Sequence, residues 1–243
     1  MNLKKVFSLT AALLMILISS QIVFAGILED IYKKLEAPAA SSLSEDTIIS
    51  GLKEALSTGT TKAVGLVSAE NGYLRNEAIK ILLPEKIQAM SEILRAAGYS
   101  KEVDAFILSM NRAAEKAAPK AKPILISAVK EMNFKDAKNI LNGPNDAATQ
   151  YFKDKTSTKL SEAFKPAISA SMDKTGVTKS YKALKNRYLS VLPLSSTESI
   201  DLDNYVTRKA LDGLFLMLGE EEAKIRTNPA ARTTELLKKV FAK

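Results

Sequence analysis

The sequence has 243 residues, of which 46% are hydrophobic and 26% are charged, and its formal net charge is +8. These proportions are typical of a globular chain and differ from those of intrinsically disordered proteins. Because the sequence contains neither cysteine nor histidine, it excludes disulfide scaffolds, zinc and haem sites with Cys or His ligands, and hydrolases with a histidine base. Any catalysis would have to use carboxylate, lysine or tyrosine groups.

The N-terminus has the pattern of a signal peptide. Lys4 and Lys5 precede an apolar run over residues 11–18, and a small residue, Ala25, closes the segment. The run is too short to span a bilayer stably, whereas a basic start, an apolar centre and a small final residue are what export requires. We predict a signal peptide over residues 1–25 and an exported protein with no later transmembrane span, most simply periplasmic, with release from the cell as the alternative.

The remaining chain is predicted to be a string of helices. Residues 26–43 favour a short amphipathic helix followed by a small polar linker, and residues 78–83 are the nearest approach to an extended passage. Elsewhere apolar residues recur about every 3.6 positions between turn signals. Helices are expected to start near Ser44, Pro84, Ser100, Ile124, Asn133, Asp146, Val177, Asp201 and Asn228.

These patterns predict an all-α protein, a multi-helix bundle of roughly eight to ten helices without a substantial sheet, forming a single helical domain over residues 44–243. The helix after Asp201 is apolar almost all round between Leu211 and Leu218. A helix of that kind is expected in the middle of a bundle.

Small residues spaced four apart mark one face of the first long helix: Gly51, Ala55 and Gly59. Such a line allows another helix to approach closely, and we take close packing as the main interpretation. The alternative is an apolar groove for an acyl chain, to which Phe215 of the apolar helix would contribute.

Five polar residues form a candidate cluster. Asn111, Arg112 and Glu115 fall within one helical turn, and Arg112 can pair with Glu115 at the i, i+3 spacing. Asp212 lies in the apolar helix, where it is expected to pair with Arg112 or Lys209; such pairs more often fix helix register than catalyse a reaction. Glu221 could form a facing carboxylate pair only with an acid from another helix, since adjacent glutamates point about 100° apart. A solvated helix end is the simpler interpretation.

The positive charge of the chain raises the question of nucleic-acid binding. Acidic residues, however, interleave with the basic ones, as in Lys153-Asp154-Lys155. We therefore expect a mixed solvated surface and no specific nucleic-acid binding. The sequence also has no phosphate loop, dinucleotide motif or EF-hand, so no cofactor or metal is predicted.

Four strings, in order, resemble a family of exported bacterial proteins known as domain of unknown function 4197, over roughly residues 44–241. The resemblance implies a bacterial envelope setting and no established activity, ligand or partner. The strings are Ser109-Met110-Asn111-Arg112-Ala113-Ala114-Glu115, Asp146-Ala147-Ala148-Thr149-Gln150-Tyr151-Phe152, Lys209-Ala210-Leu211-Asp212-Gly213-Leu214-Phe215 and Asn228-Pro229-Ala230-Ala231-Arg232-Thr233-Thr234.

We expect a noncatalytic envelope protein that binds a partner protein or a lipid-like, apolar ligand between its helices, in a pocket with few polar groups at its mouth. A carboxylate-dependent enzyme acting on envelope glycan is the alternative, and it would need two carboxyl groups on different helices bordering a cleft. A structural or stress-related protein with an exposed apolar patch and no cleft is the third interpretation.

Overall fold

A computed structural model describes residues 44–174, 177–191 and 200–228 and the single positions 230, 234 and 238. The predicted signal peptide (1–25), the short helix and linker predicted over 26–43, and almost all of the last predicted helix lie outside the described residues. The region Glu45–Lys243 forms one compact unit.

Most of the described residues are helical and none of them is in a strand, so the predicted all-α class is confirmed. A short 3-10 turn, Ala118–Lys120, separates the third and fourth helices. In chain order the α-helices are α1 (Glu45–Ser68), α2 (Glu85–Ala96), α3 (Ser100–Ala117), α4 (Ala121–Glu131), α5 (Phe134–Asn142), α6 (Ala147–Lys174), α7 (Val177–Val191) and α8 (Leu202–Thr227).

Local sequence explains several helix ends. Asn133, where the sequence predicts a helix start, forms a reciprocal capping box with Asp136 at the start of α5, which satisfies two free amides. Asp201 caps α8 by accepting from the Asn204 amide at 2.9 Å. Gly98 follows α2 with φ of 89°, a left-handed conformation that favours glycine. Ser100, expected to be a cap, is instead the first residue of α3.

The interior is organised around α8, which packs against α1, α3 and α6. Its residues Leu214, Met217 and Leu218 are buried, so the predicted central position is confirmed. One apolar residue of this helix, Leu216, remains 42% exposed. None of the helices in the described part of the chain is long and apolar enough to cross a membrane.

The connection between α1 and α2 forms turns up to residue 79 and has no regular secondary structure over residues 80–84. Asn71 has a positive φ of 67°, and a Cβ atom on Gly72 would lie only 2.2 Å from the Leu66 carbonyl oxygen. Only glycine therefore fits at position 72. The Asn71-Gly72 turn signal in the sequence reflects this constraint.

Candidate functional site

Three of the predicted polar residues meet on α3 beside the α1–α2 connection. The Glu115 carboxylate is buried; it accepts from the amides of Tyr73 at 3.2 Å and Leu74 at 3.3 Å and from Arg112 at 2.5 Å. Arg112 also donates to the Asn71 side chain at 2.9 Å. Both oxygen atoms of the Glu115 carboxylate therefore accept hydrogen bonds from other groups of the protein.

Asn111 holds the same connection one turn earlier on α3. Its amide oxygen accepts from the Ile81 amide at 2.9 Å, and its amide nitrogen donates to the Ile81 and Ile107 carbonyls, both at 2.8 Å. The Asn111 side chain therefore satisfies both the amide and the carbonyl of Ile81, which lies in a non-helical segment. We call Asn111, Arg112 and Glu115 the α3 clasp, since their contacts fix the connection to the bundle.

Tyr73 links the clasped connection to α8. Its hydroxyl donates to the Ala210 carbonyl at 2.6 Å. Burial raises the pKa of Tyr73, and the charge of Glu115 raises it further, so the phenol stays protonated. Its ring fits because the facing residue is Gly213, on which a Cβ atom would lie 2.7 Å from the Tyr73 Cε1 atom.

Asp212 does not join the clasp, and its predicted pairing with Arg112 or Lys209 is wrong. The Asp212 side chain is exposed on α8, and its carboxylate has no ion-pair partner among the described residues. Arg112 pairs with Glu115 and Glu70 instead. The error arose because Asp212 falls on the outward face of a mostly buried helix, where water solvates it.

Of the glutamates at 220–222, only Glu220 is exposed, so the predicted solvated helix end is wrong for Glu221. Glu221 and Glu222 are buried. Glu221 pairs with Lys224 at 2.6 Å. Glu222 accepts from the Ala148 amide at 3.0 Å and the Thr149 amide at 2.9 Å, so it caps the positive end of α6 from another helix.

Arg226 completes this second polar centre. It donates to Glu222 at 2.8 Å and to the Ile140 carbonyl, at the end of α5, also at 2.8 Å. We call Glu222 and Arg226 the α8 clamp, because together they tie the α5–α6 turn to α8. The i, i+4 spacing of the two residues was the only sequence signal for it.

The line of small residues on α1 packs against α8 and does not form an open groove. Gly51, Ala55 and Gly59 are buried, and a Cβ atom on Gly59 would stand 3.7 Å from atoms of Glu221 and Ile225 on α8. The two cavities along this contact have volumes of about 20 Å³ each, enough for one water molecule and too small for an acyl chain. Phe215 lies elsewhere, under the Lys153 amine at 5.8 Å.

An open cleft with a volume of about 720 Å³ lies between residues 82–85, α2 and the first turns of α8. Leu82, Leu83, Ile107 and Ile200 supply its apolar surface. Leu82 is 57% exposed, so its side chain adds accessible apolar surface to the cleft.

Tyr205 shapes one wall of the cleft. Its hydroxyl donates to the Leu82 carbonyl at 2.9 Å, and the Arg208 guanidinium lies 6.0 Å from the centre of its ring. Burial raises the pKa of Tyr205, while Arg208 opposes and Glu85 adds to this shift. The tyrosine is therefore a neutral donor at physiological pH.

The charged groups of the cleft differ in what they already bind. Arg95 pairs with Asp104 at 2.5 Å, and Asp201 uses both oxygens on Asn204. Arg208, Lys209 and Glu85 have no ion-pair partner within the described residues. Asp201 also keeps its negative charge, because Asn204 is neutral, so the cleft presents two cations and two carboxylates that have no ion-pair partner among the described residues.

The sequence predicts a helix start at Asp201 but no site here, because the two sets of cleft residues, 82–107 and 200–209, are at least 93 positions apart along the chain (200 − 107 = 93). Within the described residues, no group of three or more Asp or Glu side chains is arranged to hold a metal ion. The arrangement can bind and orient a ligand through apolar contact, hydrogen bonds and charge.

Comparison with known proteins identifies a family but no activity, ligand or partner. No curated protein and no solved structure matches the chain. The family model described as "Protein of unknown function (DUF4197)" matches residues 42–242. The resemblance seen in the sequence is thereby confirmed, and the chain belongs to this family.

Proposed function

We propose that the protein is a noncatalytic binding protein of the bacterial envelope whose ligand is an amphipathic anion held in the cleft. The apolar body of the ligand would lie against Leu82, Ile107 and Ile200. Its carboxylate or phosphate head would meet Arg208 and Lys209. The observation that carries this proposal is the side-by-side placement of exposed apolar surface and two unpaired cations in a 720 Å³ cleft.

The alternatives for the ligand site are weaker. The predicted groove along α1 has room for about one water molecule. The α3 clasp and the α8 clamp engage their carboxylates with the protein's own backbone. A buried polar group that is already satisfied gains nothing from a ligand and loses its present partners if it turns to one. The cleft is the place where binding adds contacts without removing any.

A binding test would use detergents and lipids that share one chain length. Isothermal titration below the micelle concentration would compare dodecyl phosphate, dodecanoate, dodecyl maltoside and dodecyltrimethylammonium. We expect the two anions to bind and the cation to bind least. Equal affinity for anionic and cationic probes would contradict the proposal.

The double variant Arg208→Gln with Lys209→Gln should weaken dodecyl phosphate binding by at least about 100-fold, because each charge-assisted hydrogen bond contributes about 1.5–3 kcal/mol and every 1.4 kcal/mol or so is a factor of ten. Its matched control is Lys62→Gln with Lys182→Gln, two exposed lysines outside the cleft. The control should bind as the wild type does. A third variant, Leu82→Asp, should weaken binding of every probe, including the neutral one.

An enzyme acting on envelope glycan remains the second candidate, since Glu85 and Asp201 border the cleft from the starts of two helices. The capping role of Asp201 argues against it, because a catalytic carboxylate would have to leave the α8 amide. Incubation with purified peptidoglycan decides this candidate: release of soluble fragments that Glu85→Gln abolishes would establish the enzyme and overturn the noncatalytic proposal.

The envelope location is part of the proposal and rests on the signal-peptide pattern alone. Expression with the complete N-terminus in a bacterial host, followed by cell fractionation and intact-mass measurement, tests it. We expect a periplasmic protein that begins at Gly26. A protein retained in the cytoplasm with residues 1–25 intact would contradict the location.

A further inference from the structure

A second surface of the molecule is strongly basic and lies outside the cleft. Two adjoining shallow grooves run along α4, with volumes of about 260 and 500 Å³, and they share Pro123 and Ser127. Four lysines flank these grooves. We call them the basic face: Lys122 and Lys130 on α4, and Lys155 and Lys159 on α6.

All four lysines are exposed, and none forms an ion pair within the described ranges of the chain. A fifth amine, that of Lys53, joins them by donating to the Lys130 carbonyl at 2.8 Å. Interleaved charges in the sequence had led us to expect a mixed surface. On these two helices the folding separates them, since Asp154 lines neither groove.

Two acidic residues near this surface are Glu131 and Asp136. Glu131 lines one groove and accepts from the Ser127 hydroxyl at 2.9 Å. Glu131 and Asp136 both raise the pKa of Tyr151, after the larger effect of burial, which places the two acids around Tyr151. The remaining length of the grooves presents amines, with half-buried Ile126 and exposed Pro123 between them.

We propose that the basic face docks on an anionic lipid bilayer. Its cations are all lysines, which act as flexible point charges and suit a diffuse anionic surface, whereas recognition of individual nucleic-acid phosphates favours the bidentate guanidinium of arginine. No aromatic side chain lines either groove, so bases would find no stacking platform. Pro123 and Ile126 between the lysines supply apolar surface that can contact the boundary between headgroups and acyl chains.

The test is sedimentation of the protein with vesicles of phosphatidylglycerol and phosphatidylcholine, compared with vesicles of phosphatidylcholine alone. The protein would be used as recovered from a bacterial envelope, with its N-terminus read by mass spectrometry. Binding to the phosphatidylcholine vesicles measures any contribution of the N-terminal apolar run, because this segment is the same in every variant. We expect binding to anionic vesicles that decreases as NaCl is raised, because salt screens the attraction.

The face variant carries Gln at positions 122, 130, 155 and 159 in place of the four lysines. Loss of a lysine near an anionic surface should lower the partition coefficient about fivefold, so the four together should lower it at least about a hundredfold. The matched control replaces Lys101, Lys138, Lys179 and Lys182, four exposed lysines elsewhere, with Gln. Both variants have the same net charge, and the control should retain most of the binding.

Thermal unfolding of both variants verifies that the fold is kept. Equal loss of binding in the two variants would overturn the proposal, because net charge rather than this face would then control binding. Unchanged binding of the face variant would also overturn it. Failure to bind vesicles, together with salt-sensitive binding of single-stranded DNA that the face variant loses, would assign the surface to nucleic acid instead.

Discussion

The molecule contains two kinds of charged region, and they behave in opposite ways. In the α3 clasp and the α8 clamp, the buried carboxylates of Glu115 and Glu222 accept from backbone amides and from an arginine on their own helix. In the cleft, Arg208 and Lys209 are exposed beside apolar surface and have no acidic partner in the described part of the chain.

The difference separates residues that maintain the fold from residues available to a ligand. A buried carboxylate is costly unless every oxygen is paired, so its environment must be complete in the folded state. An exposed cation carries no such requirement and can exchange water for a ligand at little cost. The contacts of Arg112 and Glu115, two charged residues of the family strings, are therefore those of residues that maintain the fold.

The largest effect should come from breaking the α8 clamp. Glu222→Ala removes the partner of two α6 amides and leaves Arg226 without its carboxylate. Because loss of one member of a buried pair leaves an uncompensated charge, we expect the free energy of unfolding to fall by about 3–5 kcal/mol. Urea unfolding followed by circular dichroism measures it.

Glu220→Ala is the matched control, since Glu220 is exposed on the same helix. It should change the free energy of unfolding by no more than about 0.5 kcal/mol, and so should the cleft variant Arg208→Gln. Similar losses for Glu222→Ala and Glu220→Ala would mean that the clamp does not stabilise the fold as its contacts indicate.

A smaller effect should appear where Tyr73 approaches α8. Gly213→Ala places a Cβ atom 2.7 Å from the ring of Tyr73, and this overpacking should cost about 1–3 kcal/mol. Gly65→Ala on α1 has open space around the new Cβ atom. Alanine is the better helix former, so this control should stabilise the protein by about 0.5–1 kcal/mol, measured by the same unfolding curves.

The smallest effect at neutral pH, about 1 kcal/mol of lost stability, is expected for Tyr73→Phe, which removes the hydrogen bond to Ala210. Its pH dependence is more informative. Since the pKa of Tyr73 is raised in the folded state, the unfolded chain ionises first above about pH 10, and wild-type stability should fall by about 1.4 kcal/mol per pH unit from this group.

Tyr73→Phe lacks that proton, so its stability should fall less steeply, and the two curves should cross near about pH 11. The comparison isolates Tyr73 because the raised pKa values of Tyr151, Tyr181 and Tyr205 affect both proteins alike. Parallel curves above pH 10 would show that the Tyr73 hydroxyl is not buried in solution.

Much of the architecture could be predicted from local patterns, and the errors have a common cause. The capping box at Asn133 and the cap at Asp201 depend on residues within one or two turns, which the sequence displays directly. The partner of Glu222 is an amide pair 73 and 74 positions away. No spacing rule in a single sequence connects groups that far apart.

The sequence by itself determined that the chain is all-helical, where most helices begin and end, that α8 is central and that histidine and cysteine chemistry is absent. Those properties follow from periodicity, capping and composition, which act over a few residues. Only the tertiary structure decided that Asp212 faces water, that Glu222 is buried, and that Leu82 meets Tyr205 and Arg208 in one cleft. These outcomes depend on which helix faces pack together, and burial and pairing exist only after the helices have packed.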